Sequence, residues 1–99
     1  MDNIKFVWDN RKEKTNITKH GVSFEEATTV FFDEYAIEYY DPDHSDDEDR
    51  FILFGISRNL RVLVVCFCYR ESDTIVRIIS ARKATRRESK NYCGKGRIK

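Results

Sequence analysis

Three apolar runs, at residues 51–57, 61–69 and 74–81, follow one another with only Arg58-Asn59-Leu60 and Arg70-Glu71-Ser72-Asp73 between them. Polar connections this short cannot carry a crossover, so the runs predict an antiparallel meander of three strands. The middle run is apolar on both faces. It therefore belongs inside the sheet, with helices on one side and a partial cover on the other. Strand alternation points Cys66 and Cys68 to one face. With an odd total of three cysteines, buried reduced thiols are expected.

The flanking segments supply helices. Ile4-Lys5-Phe6-Val7-Trp8 alternates as a strand, and Asp9 caps a polar helix over residues 11–19 that halts at His20-Gly21. Ile17 is the one clear core residue of that helix, which places it at the surface. Ser23-Phe24-Glu25-Glu26 reads as a capping box, after which Phe24, Ala27, Val30 and Phe31 recur at helical spacing on a second helix that packs on the core. A short strand over 36–40 leads into an acidic loop with Pro42, for which no fixed structure is expected. Thr85-Arg86-Arg87-Glu88 is a second capping box, opening a short helix that runs to about Tyr92 and stops at Cys93-Gly94. The expected class is α+β, one domain over residues 1–93 and a basic tail at 94–99 without fixed structure. A chain of 99 residues that is 40% hydrophobic has one modest core, not separate catalytic and partner-binding domains.

Charge is distributed unevenly behind a formal net of +1. Asp41, Asp43, Asp46, Asp47, Glu48 and Asp49 crowd one loop, while Arg82, Lys83, Arg86, Arg87, Lys90, Lys95, Arg97 and Lys99 crowd the C-terminal end. A basic end of this density is either the footprint of a polyanion or a solvated face. Arg77 and Arg82 sit in an otherwise apolar strand and its end. Each either pairs with a carboxylate or meets water, or it holds an anion against the sheet.

Several chemistries lose support. Asp41-Pro42-Asp43-His44-Ser45-Asp46 starts like a calcium loop but has Asp46 where the turn glycine belongs and Ile52 at the bidentate glutamate position. His20 and His44 show no zinc-ligand spacing to the cysteines, and there is no glycine-rich phosphate loop or Gly-x-Ser-x-Gly elbow. No cofactor or metal is expected. No apolar run approaches membrane-spanning length, and Met1-Asp2-Asn3-Ile4-Lys5 lacks a signal-peptide pattern, so a cytoplasmic protein without membrane association is expected.

A sheet with arginines near one strand's end and a histidine at a helix terminus suits metal-independent RNA cleavage. There the substrate's own 2′-hydroxyl is the nucleophile, and the protein moves two protons and stabilises charge on phosphate. Arginine's planar fork suits the phosphate, and His20 is either the proton-transfer group at neutral pH or a surface histidine beside a glycine cap.

Phe6-Val7-Trp8-Asp9, Asn16, Lys19-His20-Gly21-Val22-Ser23-Phe24-Glu25-Glu26-Ala27, Asp41-Pro42-Asp43-His44-Ser45-Asp46-Asp47-Glu48, Arg50-Phe51, Gly55 and the run from Arg77 to Glu88 occur in that order. In this respect the chain resembles the BrnT family of bacterial toxins from type II toxin–antitoxin systems, within the RelE-like ribonuclease superfamily. The resemblance implies a small RelE-like α+β fold, mainly an antiparallel sheet packed against two N-terminal helices with a short C-terminal helix. It also implies an RNA endonuclease that arrests translation and is neutralised by a BrnA-type antitoxin with a ribbon-helix-helix DNA-binding end. Toxin and antitoxin together would repress their own operon, so operator DNA is met only through the antitoxin.

The resemblance implies Arg77, Arg82 and His20 as catalytic residues and Lys19 as an RNA contact; Glu71, in the turn before the arginine strand, is a weaker candidate for proton transfer or for orienting an arginine. Lys83, Arg86 and Arg87 are the candidates at the basic end, the last two opening a helix whose N-terminus presents free N–H groups. Arg77 and Arg82 differ in parity, so they share a face only if the strand ends or bulges between them, with Ser80-Ala81 as the candidate position. The alternative is a non-catalytic module that binds RNA or serves as co-repressor through a DNA-binding partner.

Overall fold

The computed structural model describes residues 4–71 and 73–92, so Cys93 and the expected tail at 94–99 lie outside it. The chain runs β1 (Lys5–Val7), α1 (Asn10–His20), α2 (Phe24–Thr29), β2 (Ile37–Tyr40), β3 (Phe51–Ile56), β4 (Val62–Arg70), β5 (Ile75–Lys83) and α3 (Arg86–Ser89). Strand order in the five-stranded sheet is β1-β5-β4-β3-β2. β3, β4 and β5 form the expected antiparallel meander, β2 adds antiparallel to β3, and β1 lies parallel to β5. β5 runs through Lys83, so Arg82 is its penultimate residue, near the strand's end as expected. No helix among the described residues is long and apolar enough to cross a membrane.

One face of the sheet carries the core. Leu53, Leu63, Val65, Phe67, Val76, Ile78 and Ala81 meet Val22, Phe24, Ala27 and Val30 from the α2 segment. Phe24 and Phe67 are fully buried, each worth about 1.5–3 kcal/mol in removal from water. The segment that follows α2 can approach closely because Gly55 has no side chain: a Cβ there would stand 2.9 Å from the Ala36 Cβ and from Asp33 Oδ2, and 3.0 Å from Val30 Cγ1.

The second capping box forms in full, with Thr85 accepting from the Glu88 N–H and Glu88 accepting from the Thr85 N–H. The first forms only by half. Ser23 accepts from the Glu26 N–H (3.0 Å), but the Glu26 carboxylate turns into the core edge. There it accepts from the Ser57 hydroxyl at 2.7 Å and from Arg61 through Nε at 2.9 Å and through Nη2. Arg61 also donates to the Gly21 carbonyl (3.0 Å), so one ion pair fixes the end of α1 to the start of α2 and the β3–β4 turn.

α1 corrects the expectation that Ile17 anchors it. Ile17 is 45% exposed, and the buried residue is Asn16. The reason lies in the sheet. β1 pairs with β5 only from Ile75 to Arg77, which leaves the outer edge of β5 without a strand from there on. α1 lies along that edge, and the Asn16 carboxamide substitutes for the missing strand. Its Nδ2 donates to the Ala81 carbonyl (2.8 Å) and the Val22 carbonyl (2.8 Å), and its Oδ1 accepts from the Ala81 N–H (3.1 Å). Buried backbone groups need partners, so a polar residue sits where an apolar one was expected.

The acidic loop also departs from expectation, because it has a fixed form. Its ends pair through the Asp41 N–H and the Arg50 carbonyl (2.9 Å). Pro42–His44 forms a 3-10 turn. The Ser45 hydroxyl bridges inside, donating to the Asp41 carbonyl (2.6 Å) and accepting from the Arg50 N–H (3.0 Å). A single serine thus satisfies backbone groups that the loop's charge had suggested were left to water.

Asn16→Ala orphans three buried backbone groups and is expected to cost about 2–4 kcal/mol, lowering the melting temperature by roughly 10 °C or more. Asn16→Asp, which sets a carboxylate against two carbonyls, should cost more; thermal unfolding of the two variants gives the order. The Arg61 guanidinium, ahead of the Ser57 hydroxyl, holds the Glu26 carboxyl below its ordinary 4.5. A lowered folded value means this stabilisation is fully present above about pH 4.5 and is lost as pH falls through the lowered value. Glu26→Gln is therefore expected to cost about 2–4 kcal/mol at pH 7 and much less at pH 3, as measured by urea unfolding at the two pH values.

Candidate active site

β5 carries one extra residue. Cys66 faces Ser80 and Phe67 faces Ile78, so Ile79 is a bulge. Directly opposed residues of an antiparallel pair share a face. Arg77 opposes Cys68, Ser80 opposes Cys66 and Arg82 opposes Val64, and Val64, Cys66 and Cys68 alternate along β4 on one side. The bulge therefore brings both arginines to the face opposite the core, one residue before the position expected from the sequence. Four residues of β4 separate the two rows, or about 13 Å.

On this face two cavities of about 300 Å3 meet. One is lined by Arg11, Lys12, Thr15, Asn16, Lys19, His20, Ile79 and Ser80. The other takes in His20, Asp41, His44, Arg50, Cys66, Ser80 and Arg82. His20, Ile79 and Ser80 belong to both, so the bulge and the end of α1 form the divide of one groove. His20 reaches this place because Gly21 ends α1 in the left-handed region at φ 68°, with its N–H on the Ile17 carbonyl.

Each polar group of the deeper cavity has a distinct setting. His44 donates from Nδ1 to Asp41 Oδ2 (2.9 Å). The carboxylate can only accept, so it fixes the tautomer and leaves Nε2 as the ring's proton acceptor. Arg50 brings a buried Nε with no hydrogen-bond partner; the nearest carboxylate oxygen, Glu48 Oε2, is 3.7 Å away. Arg82 is held in a fork by Glu88, Nη1 to Oε1 at 2.8 Å and Nη2 to Oε2 at 3.0 Å. The Arg82 guanidinium, with the Thr85 N–H second, draws the Glu88 carboxyl down to about 2. Cys66 lines the cavity, but burial pushes its thiol up, so it is a wall and not a nucleophile.

The other sequence candidates are dispersed. Arg77 shares the face opposite the core but does not line either cavity, and it makes no side-chain hydrogen bond or ion pair among the described residues. Lys19 lines the shallower cavity. Lys83 is exposed at the end of β5, and Arg86 and Arg87 are exposed on α3. Glu71 sits in the β4–β5 turn at φ 47°, at the far end of β5 from Arg82 and about 20 Å along the strand. Asp41, His44 and Arg50 belong to the cavity although sequence reasoning had not placed them in a site. The available signal was the Asp-x-x-His spacing in a proline-bearing turn, with an arginine immediately before β3.

The model for the ribonuclease toxin BrnT of type II toxin–antitoxin systems matches residues 8–88, a span that includes both histidines, Arg50 and Arg82. No curated protein sequence matches the chain significantly. Among solved structures, the 1.1 Å crystal structure of the Brucella abortus ribonuclease toxin BrnT is 28% identical, with a TM-score of 0.63 over 84% of this chain and 99% of that one. On the family match and the shared α+β fold, the chain belongs to the BrnT family of ribonuclease toxins.

Proposed function

We propose that this toxin is a metal-independent endoribonuclease whose active site is the cavity on the bulged strand. The observation that carries the proposal is that both histidines of the chain and two arginines line one cavity of about 300 Å3. In this reading the substrate's 2′-hydroxyl attacks the adjacent phosphorus and expels the 5′-oxygen of the next nucleotide. The products are a 2′,3′-cyclic phosphate and a 5′-hydroxyl. His44, oriented by Asp41, accepts the 2′-proton at Nε2, and His20 delivers a proton to the leaving oxygen. Arg50 and Arg82 stabilise charge on the phosphate through the guanidinium N–H groups they turn to the cavity, for Arg82 those that Glu88 and the Lys83 carbonyl leave free.

The flanking RNA backbone runs along the shallower cavity over Lys19, Lys12 and Arg11, and Arg77 meets a neighbouring phosphate on the same face. Lys83, Arg86 and Arg87 extend the positive surface past Arg82. Glu71 is left out of the chemistry by its place in the far turn. A type II family also implies an antitoxin. We take it to be of the BrnA ribbon-helix-helix type, repressing the shared operon together with the toxin, with RNA cleavage in the cytoplasm arresting translation.

Purified chain is expected to cut RNA in the presence of EDTA, leaving cyclic phosphate and 5′-hydroxyl ends. Cleavage restored only by magnesium or manganese would move the chemistry to the Asp41 loop, and binding without cleavage would make the chain a non-catalytic module. His44→Ala and His20→Ala are each expected to lower kcat by about 10²–10⁴ with folding intact, since both side chains are exposed on the groove. Arg82→Ala or Arg50→Ala should cost about 10²–10³. Single-turnover cleavage of a short RNA by each folded variant checks the assignment, and wild-type rates in either histidine variant would remove that histidine from the mechanism.

A further inference from the structure

We propose that a separate cavity between β2 and α3 is a subsite for one nucleobase of the RNA, with Tyr39 stacking on the ring and Asn91 reading its edge. This rests on the ribonuclease reading above and adds to it the means of choosing where to cut. The cavity, about 190 Å3, is lined by Ile37, Tyr39, Phe54, Glu88 and Asn91. Pockets for drug-sized molecules run from about 300 Å3 upward, so this volume suits one flat ring system and not a folded segment of protein.

Its position ties it to the cleavage site. On the active face, Ile37, Phe54, Val64 and Arg82 form one row across the sheet, and Tyr39, Ile52, Cys66 and Ser80 form the next. Glu88 joins the two sites directly, since the carboxylate that walls the base cavity is the one that grips Arg82. A nucleotide whose phosphate lies at Arg82 thus has its neighbour's base within reach of Tyr39.

The lining has the chemistry that a base requires. Tyr39 is 48% exposed on the active face of an edge strand, a place where a large ring costs hydration unless something covers it. Ile37 and Phe54 supply an apolar floor. The Glu88 carboxylate is already occupied by Arg82 and the Thr85 N–H, so it walls the site without reading the base. Asn91 is exposed at the rim, and its amide, with one acceptor and two donors, matches the paired donor and acceptor of adenine.

The experiment is cleavage of short RNAs that differ at one position next to the cut bond, with A, C, G, U or an abasic site there. Wild-type protein is expected to prefer adenine and to lose about 5- to 150-fold in kcat/KM with the abasic RNA. Tyr39→Leu should lose a similar factor on the adenine substrate and nothing further on the abasic one, while Tyr39→Phe retains the preference. Asn91→Ala should flatten the preference among bases. The subsite is refuted if wild type shows no preference at any flanking position, or if the preference survives in both Tyr39→Leu and Asn91→Ala. It is also refuted if these variants cleave as wild type and lose only antitoxin binding. Failure of wild type to cut any RNA would instead refute the ribonuclease reading beneath it.

Discussion

The hydrogen bonds between the Asn16 carboxamide and the Ala81 backbone set the geometry on which the rest depends. β1 is three residues long and leaves the outer edge of β5 open beyond Arg77, where α1 lies along it. Because the helix meets the strand through an amide and not through a second ladder, β5 is free to carry the Ile79 bulge next to the clamp. The bulge flips parity, so Ala81 turns into the core while Ser80 and Arg82 turn to the groove. The clamped helix ends at His20, so one contact places both the arginine strand and a histidine on the same cavity.

Most of the fold was legible because its signals are local. The meander, the two short helices and the burial of Phe24, Ala27 and Val30 follow from periodicity and from short connections. The misses share a cause, which is a polar residue recruited by a distant backbone group. Asn16 reads as a solvent residue until the missing strand beside β5 is seen. Glu26 reads as a cap until Arg61, 35 residues away, takes it. Ser45 reads as a loop residue until it closes the excursion between Asp41 and Arg50. The need for a break between Arg77 and Arg82 was legible from parity alone, but its residue was not, because no glycine marks it. Part of the site was hidden for a similar reason: the Asp41–His44 pair looked like solvated charge in a loop taken to be unstructured.

The acidic loop beside the proposed phosphate site is less contradictory than its composition suggests. Asp41 is engaged by His44, Glu48 lies between Arg50 and Arg70, and Asp49 accepts from the Tyr40 hydroxyl (3.2 Å). Asp41 and Glu48 thus orient a ring and two cations beside the proposed site, and an anion arriving there meets organised donors. Arg82 follows the same logic. Glu88 does not cancel it so much as fix the plane of its fork, and the capping box of α3 in turn fixes Glu88. The carboxylate-pairing explanation for an arginine in a strand and the anion-holding explanation are compatible at this one residue.

The most direct test of the active-site assignment is a crystal structure with an RNA in which the 2′-hydroxyl at the cleaved position is replaced by hydrogen, removing the nucleophile. The scissile phosphate is expected between Arg50 and Arg82, within hydrogen-bond distance of at least one guanidinium, with His20 and His44 on opposite sides of it. A phosphate seated instead on Arg77, or on Arg86 and Arg87 with the cavity left to solvent, would contradict the assignment.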